Sequence, residues 1–475
     1  MSGAAASEVD GLTGQPCRAS SDRMPRLPSP RPILAEDASL FMQLERAVEE
    51  EFRPQMLETL QRKVVEAVAG AESGSCPTCE CNGRAMSDKG GRTVSWLCRF
   101  GRVHAKPKRY RCDACAKTHR PAIEALGVEP GRICGSLARL VALLGCVVPY
   151  ELGSRLALML LGVEVSTMSV WRCVQRLGEA CLRYEEALNA HHLDSLGEPA
   201  QSASAPDTVV VGVDGCALGM QVRPKRRHFK RPEERLVPLP KVEEGHFREV
   251  KTGVLLLPEE RFEPSPGRRS VLRRVLVSCL GNADGIFSAL WARMQELSWL
   301  GPKTMVVVVA DGAHWIWNRA AEAFPLRCEI LDFWHAVERA WEFGRLHFGQ
   351  GSKQGDRWAH RLSRDLRDGK VEQVIKRLRR MRPRTHEAQE KLDTLIGYYE
   401  SNKARMHYDE YIRLGYGIGS GAVESAHKQL VHARLRQAGM RWSEVGARRL
   451  LALRVMLLNG DWDELDRLRM VSLAA

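Results

Sequence analysis

Two stretches decide how this chain folds: TVVVGVDG at 208–215 and TMVVVVADG at 304–312. Each is a short, apolar, β-branched run, the signature of a strand buried on both faces. Each ends in Asp-Gly, which sets Asp214 and Asp311 where a strand gives way to a turn. Around them, HFREVKTGVLLLP (246–258) and RCEILDF (327–333) read as further strands, and residues 270–299 and HAVERAWEF (335–343) as helices. Strands alternating with helices predict an α/β domain with parallel strands. If the two Asp-Gly strands are parallel neighbours, both carboxylates emerge at strand carboxyl ends, the edge where open α/β sheets bind ligands. Carboxylates held close repel one another, and a divalent cation relieves that repulsion. The bland alternative is that Asp-Gly simply makes the turn.

A third acid lies in GIGSGAVESAHK (417–428), a Gly-rich loop running into a helix. Val423, Ala426, Leu430 and Ala433 mark the packed face of that helix, and Glu424 lies beside it, able to lean over a sheet edge. The helix dipole favours an acid in a first turn without any catalytic duty, so that alternative also stands.

Working toward the N-terminus, Cys76-Pro-Thr-Cys79 and Cys112-Asp-Ala-Cys115 form two C-x-x-C knuckles. Four thiolates at such spacing suit one tetrahedral Zn²⁺, which can fold a segment too small to hold a core. A zinc ribbon over 73–126 is expected, with Cys81 and Cys98 as lesser competitors for the metal. Next, 151–161 and 167–178 read as two helices around a turn, with Ser166 capping the second, which is helix-turn-helix grammar. In a DNA-reading hairpin Ser169, Arg172, Gln175 and Arg176 would face base edges and phosphates. A buried helical hairpin is the competing reading.

The 475 residues carry 71 Lys and Arg against 58 Asp and Glu, a net charge of +13 that favours a polyanionic partner, nucleic acid before membrane. Hydrophobic residues make up 44% and charged residues 27%, which excludes wholesale disorder. No apolar run is long enough to span a bilayer. The start, MSGAAASEVDG, has neither a basic nor an apolar signal region, so a cytoplasmic location is expected. Basic clusters fill six of nine positions at 223–231, among them Arg226, Arg227 and Lys230, and again at 376–384. Lys428 and Arg434 follow the third acid. Phosphate contacts or plain solvated surface both account for such clusters.

The expected organisation is an arm without structure over 1–35, a helical pair or one kinked helix over 36–72, and the zinc ribbon over 73–126. The helix-turn-helix-like domain follows over 130–195. An α/β core then runs over 206–348 and 413–465, interrupted by a helical insertion over 349–412.

This order resembles the bacterial insertion-sequence transposases of the DDE class, Kra-type group, whose core is similar to that of Mutator-like and hAT transposases. The resemblance covers about 36–465 and is carried most specifically by HFREVKTGV (246–254), VVVVADGAHWIW (306–317), LDFWHAVE (331–338) and the block 417–454 with Gly439, Met440 and Trp442. It implies an RNase H-like mixed-sheet core in which Asp214, Asp311 and Glu424 hold two Mg²⁺ or Mn²⁺ ions. It further implies that Asp332 and His335 are an accessory pair near the scissile phosphate. From the residues alone, Asp332 reads as a helix N-cap and His335 as a packed first-turn histidine. Double-stranded DNA as partner, a homo-oligomer and a bacterial, nucleoid-associated location are likewise implied. Two other readings fit the residues: an RNase H-like nuclease or resolvase that cuts without joining, and a DNA-binding regulator with silent carboxylates.

Overall fold

The computed structural model describes residues 39–74, 76–128, 133–199, 202, 204–221, 246–265 and 268–468. The arm expected over 1–35 and the basic cluster at 223–231, with Arg226, Arg227 and Lys230, lie outside them. Two compact units divide the chain, Met1–Leu60 and Gln61–Ala475. Helix α1 (Leu40–Ala71) begins in the first and ends in the second. It runs unbroken through Pro54, so the region is one helix and not a pair. In the first unit the four-residue recurrence of Leu40, Leu44, Val48 and Phe52 leaves these side chains exposed.

The second unit opens with short strands: β1 (Ser87–Gly91), β2 (Val94–Cys98), β3 (Gly101–Ala105), β4 (Lys108–Arg111) and β5 (Thr118–His119). β1, β4 and β5 make one antiparallel sheet, and β2 with β3 makes a separate hairpin. The Gln61 side chain grips the hairpin, donating to the His104 carbonyl (2.6 Å) and accepting from the His104 N–H (2.8 Å). Helices α2 (Pro121–Ala125), α3 (Gly135–Val147), α4 (Tyr150–Leu161) and α5 (Thr167–Leu193) follow. Ser166 caps α5 as its sequence position demands, accepting from the Ser169 N–H at 3.2 Å.

Five strands then build the main sheet together with the helices between them. In chain order these are β6 (Thr208–Gly219), β7 (Phe247–Leu256), the small ribbon of β8 (Arg261–Ser265) and β9 (Arg268–Val271), β10 (Val275–Leu280), α6 (Ala283–Glu296), β11 (Met305–Ala310), α7 (His314–Ala323), β12 (Arg327–Leu331) and α8 (Phe333–Phe348). The order across the sheet is β10-β7-β6-β11-β12. β6, β11 and β12 are parallel, whereas β7 runs against both of its neighbours. The sheet is therefore mixed and not wholly parallel. The helix expected over 270–299 also divides: Val275-Leu276-Val277 belongs to the edge strand β10, and helix starts only after Asn282, whose side chain accepts from the Gly285 N–H. β-branched residues with a partner strand beside them prefer the ladder to a helical turn.

The helical segment comprises α9 (Lys353–Arg367), α10 (Val371–Leu378), α11 (His386–Asn402) and α12 (Tyr408–Arg413). The chain returns to the sheet through α13 (Gly421–His427), a π-helical turn (Lys428–His432) and α14 (Glu444–Asn459). Gly253 and Gly212 show which helix lies on which face. A side chain at Gly253 would meet Leu290 of α6 at 2.6 Å, and one at Gly212 would meet Val423 of α13 at 3.4 Å. Gly253 pairs with Val213, so Gly212 points to the opposite face, and α6 and α13 cover opposite faces of the sheet.

One apolar core surrounds the sheet and a second joins α3, α4 and α5 to α14, Trp442 and the far ends of β6 and β7 at Leu218, Met220 and Val250. At the tightest point a side chain on Gly178 of α5 would come within 2.3 Å of the Arg449 carbonyl of α14. The helix-turn-helix-like hairpin is thus packed into the body of the molecule.

Candidate active site and metal centre

The register of β6 against β11 places the two strand aspartates. The β6–β11 pairing runs as far as Val309 with Gly212, and each aspartate follows it by two residues, Asp214 still within β6 and Asp311 in the turn just past the end of β11. Asp214 lies two residues from Gly212 and so shares the face covered by α13. β6 does not end at Asp214, as the Asp-Gly pattern suggested; β7 pairs with it as far as Gly219, while β11 stops at Ala310. Asp214 therefore sits mid-strand, just past the end of its parallel neighbour.

Each aspartate is held locally. Asp214 Oδ1 accepts from the Gly215 N–H at 2.7 Å, and its Oδ2 lies 3.2 Å from His427 Nδ1. Burial pushes the Asp214 carboxyl up, but the hydrogen bond and charge of His427, the Gly215 N–H and the charge of His335 outweigh it and hold the carboxyl below the ordinary aspartate value. Asp311 Oδ1 accepts from the Ala313 N–H at 3.0 Å, an Asx turn. The next residue, Gly312, has φ +97°, a left-handed backbone that a side chain would strain. The Asp311 carbonyl accepts from Tyr398 of α11 at 2.8 Å, so the helical segment reaches back to the site.

Glu424 is exposed on α13, three residues before His427 and so about 4.5 Å along the helix axis from the residue that touches Asp214. His427 itself is buried, and its Nε2 has no hydrogen-bond partner among the described residues. His335 is half-buried and faces Asp214 closely enough to bias its charge. Asp332 is fully buried and its carboxylate is spent on backbone: Oδ1 accepts from Trp334 N–H (2.6 Å) and His335 N–H (3.0 Å), and Oδ2 from Ser420 N–H. It caps α8 and clamps the Gly-rich loop, so it is a structural residue and not one that meets a phosphate.

Other expected positions fall elsewhere. Gln175 and Arg434 are buried and cannot reach DNA from these positions. Gln175 turns inward toward Gly446, because α5 packs against α14. Arg434 donates to the Gly145 carbonyl at 3.0 Å and stacks on Tyr150 and Trp442, capping the carboxyl end of α3. Arg172 and Lys428 are exposed, and Ser169 and Arg176 are half-buried.

A pair of charges that sequence reasoning missed lies on the other face of the sheet, the one α6 covers: the Glu249 carboxylate sits over Gly215, and Lys251 pairs with it while lying 3.9 Å above the Trp315 ring. The signal was present in HFREVKTGV, where Glu249 and Lys251 share one strand face amid apolar residues, but only pairing with β6 shows what they touch.

The sulfur cluster is the clearest candidate metal centre. Cys79, Cys81, Cys112 and Cys115 bring their sulfurs within 4.8 Å of one another, with Cys79 and Cys115 at 3.5 Å and Cys81 and Cys112 at 3.6 Å. A Zn–S bond of about 2.3 Å implies sulfurs about 3.8 Å apart in a tetrahedron, so the cluster fits structural zinc. The N–H groups of Cys115 and Ala114 hold the Cys112 thiol down at about 6, toward the thiolate a metal needs. Cys76, expected as a ligand, is exposed and outside the cluster; Cys81 takes its place. A tight turn, with the Gly83 N–H bonded to the Cys79 carbonyl at 2.8 Å, reverses the chain just after Cys81. Among the described residues this is the one such group of His, Cys, Asp and Glu; Asp214, Asp311 and Glu424 do not converge as tightly. No helix of the described residues is long and apolar enough to cross a membrane. Compared with known proteins, the chain matches no family model and no curated protein.

Proposed function

We propose that the chain is a DDE-type DNA transposase that binds the ends of an insertion sequence, cleaves the DNA and joins the freed 3′-hydroxyl to target DNA. One observation supports the reading: Asp214 and Asp311 each follow the end of the β6–β11 pairing by two residues, and Asp214 is held by the helix that bears Glu424. The mixed sheet with helices on both faces is compatible with the RNase H-like core that the resemblance implies. The net charge of +13 and the exposed Lys428, Arg436 and Arg441, which follow α13, suit a polyanion.

In this reading Asp214 and Asp311 would supply hard oxygen ligands, and Glu424 on α13 would be the third. Bound Mg²⁺ or Mn²⁺ supplies activation of the attacking oxygen and neutralisation of charge on the leaving one. His427 and the Gly215 N–H orient the Asp214 carboxylate, and the Asx turn orients that of Asp311. Lys428 and its neighbours position the phosphate backbone. No covalent protein intermediate is needed.

The test uses the DNA flanking the reading frame, in which this reading requires inverted repeats. Purified protein with Mn²⁺ and a pre-cut end duplex is expected to join that end to plasmid DNA, and Asp311→Ala to bind the end without joining. Cleavage without joining indicates a nuclease, and end binding without any metal-dependent chemistry indicates a regulator.

A further inference from the structure

We propose that the cavity where α5, α6, β10 and α14 meet binds a small primary monoamine, an ammonium group on an apolar body. The cavity measures about 110 Å³, and its walls are largely carbon, from Leu182, Leu188, Leu276, Ala289, Leu451 and Met456. At about 10–15 Å³ for each water-sized group, it has room for about eight of them.

Most polar groups in the wall are spent on one another. Arg293 pairs with Asp461 at 2.8 Å and with Glu296, Arg448 pairs with Glu186 at 3.0 Å, and Tyr184 donates to Glu296. Asn459 exchanges two hydrogen bonds with the Leu276 backbone, Ser278 donates to the Lys251 carbonyl at 3.1 Å, and the Cys279 thiol donates to the Asn282 carbonyl. Glu185 and Asn189 are left over. Among the described residues neither side chain has a hydrogen bond or an ion pair. They stand four residues apart on α5, one turn along the same helix face, and both line the cavity.

These two groups select the ligand. With the two guanidiniums paired to Glu186 and Asp461, the uncompensated charge in the wall is the Glu185 carboxylate. An anion would be repelled by it, and a neutral apolar molecule would bury it without a partner. A bound Ca²⁺ takes about six to eight oxygens, whereas the free ones here belong to one carboxylate and one amide. A primary ammonium carries three donors to share between the Glu185 carboxylate and the Asn189 carbonyl, and its body takes the place of water against the carbon walls. The site is independent of the proposed catalytic reading, because neither DNA nor a divalent metal enters it.

The test is calorimetric titration and thermal unfolding of the full chain at about pH 8.5, above the value at which the Glu185 carboxyl ionises. The probe is phenethylamine, with phenethyl alcohol and hydrocinnamate as its neutral and anionic counterparts. The amine is expected to bind one per chain with a Kd on the order of 0.1 mM and to raise the melting temperature, and both counterparts to bind at least about 10-fold more weakly. Glu185→Gln, which keeps the side chain's shape, is expected to remove the preference for amine over alcohol. Ala289→Leu fills the cavity from α6 without touching the carboxylate and is expected to abolish amine binding, which keeps the test decisive if Glu185→Gln does not fold. No binding of the amine, equal binding of amine and alcohol by the parent, or undiminished amine affinity in either folded variant overturns the proposal.

Discussion

His427 Nδ1 lies 3.2 Å from Asp214 Oδ2, and this contact ties the short helix α13 to the middle of strand β6. The residue that holds Asp214 in place thus belongs to the helix carrying Glu424, a sequence separation of more than two hundred residues closed by one side-chain contact.

Removing the contact with His427→Ala is expected to destabilise the fold by about 1–3 kcal/mol, measured by urea unfolding at neutral pH. Asp214 is held below its ordinary value of 3.8, so its contribution is complete above that pH and is lost as the pH falls through the lower folded value. Parent and variant therefore converge in acid. A constant difference down to the acid limit contradicts this account.

Asp332 accepts three backbone N–H groups from two segments. Asp332→Ala leaves those donors unpaired in the interior and is expected to cost about 2–4 kcal/mol. Asp332→Asn, which keeps an accepting oxygen, is expected to lose less. An unchanged melting temperature for the alanine variant would falsify the structural role.

The sulfur cluster predicts which cysteine matters. Zinc content of purified protein is expected to fall sharply in Cys81→Ser and to remain near one ion per chain in Cys76→Ser. Chelation of the parent should melt the β1, β4 and β5 sheet, detected as lost amide protection there. The opposite ranking of the two variants returns the metal to the two C-x-x-C knuckles.

Glu185 projects into a cavity of about 110 Å³ lined by Leu182, Leu276, Cys279, Leu451 and Met456. Burial raises its carboxyl from 4.5 to about 8, with Arg293 offsetting part of the effect. The folded state binds this proton more tightly than the unfolded chain, so stability falls as pH rises from about 4.5 to about 8 and levels off beyond. Glu185 is only partly buried, so the expected change is on the order of 2 kcal/mol. Glu185→Gln should flatten that slope, and a slope left unaltered refutes the assignment.

Gly178→Ala forces a methyl against the Arg449 carbonyl, where no flexible side chain can yield. A loss of about 1–3 kcal/mol is expected in thermal unfolding, together with loosening of α5 from α14. A neutral variant would show that the two helices are not clamped there.

The strands bearing Asp214 and Asp311, the helix of Glu424 and the capping of α5 by Ser166 were legible in the sequence, because apolar periodicity and capping chemistry act over neighbouring residues. The reversal of β7, the edge strand cut from 270–299 and the carboxylate of Glu249 beside Gly215 were not, since each depends on which strand pairs with which. The same holds for the sites. Spacing put cysteines at 76, 79, 112 and 115, but a turn chose Cys81 over Cys76. Charge put Arg434 on a surface, but the open carbonyls at the end of α3 drew it inside.

Local rules therefore settled what each segment is: apolar strand, capped helix, cysteine knuckle. Only tertiary structure settled what each segment faces, through sheet register that makes β6 and β11 parallel neighbours and packing that buries Gln175 and Asp332. The physical reason is range. Backbone preference and periodicity are properties of a few consecutive residues, whereas burial and long-range pairing are decided by chain segments hundreds of residues away.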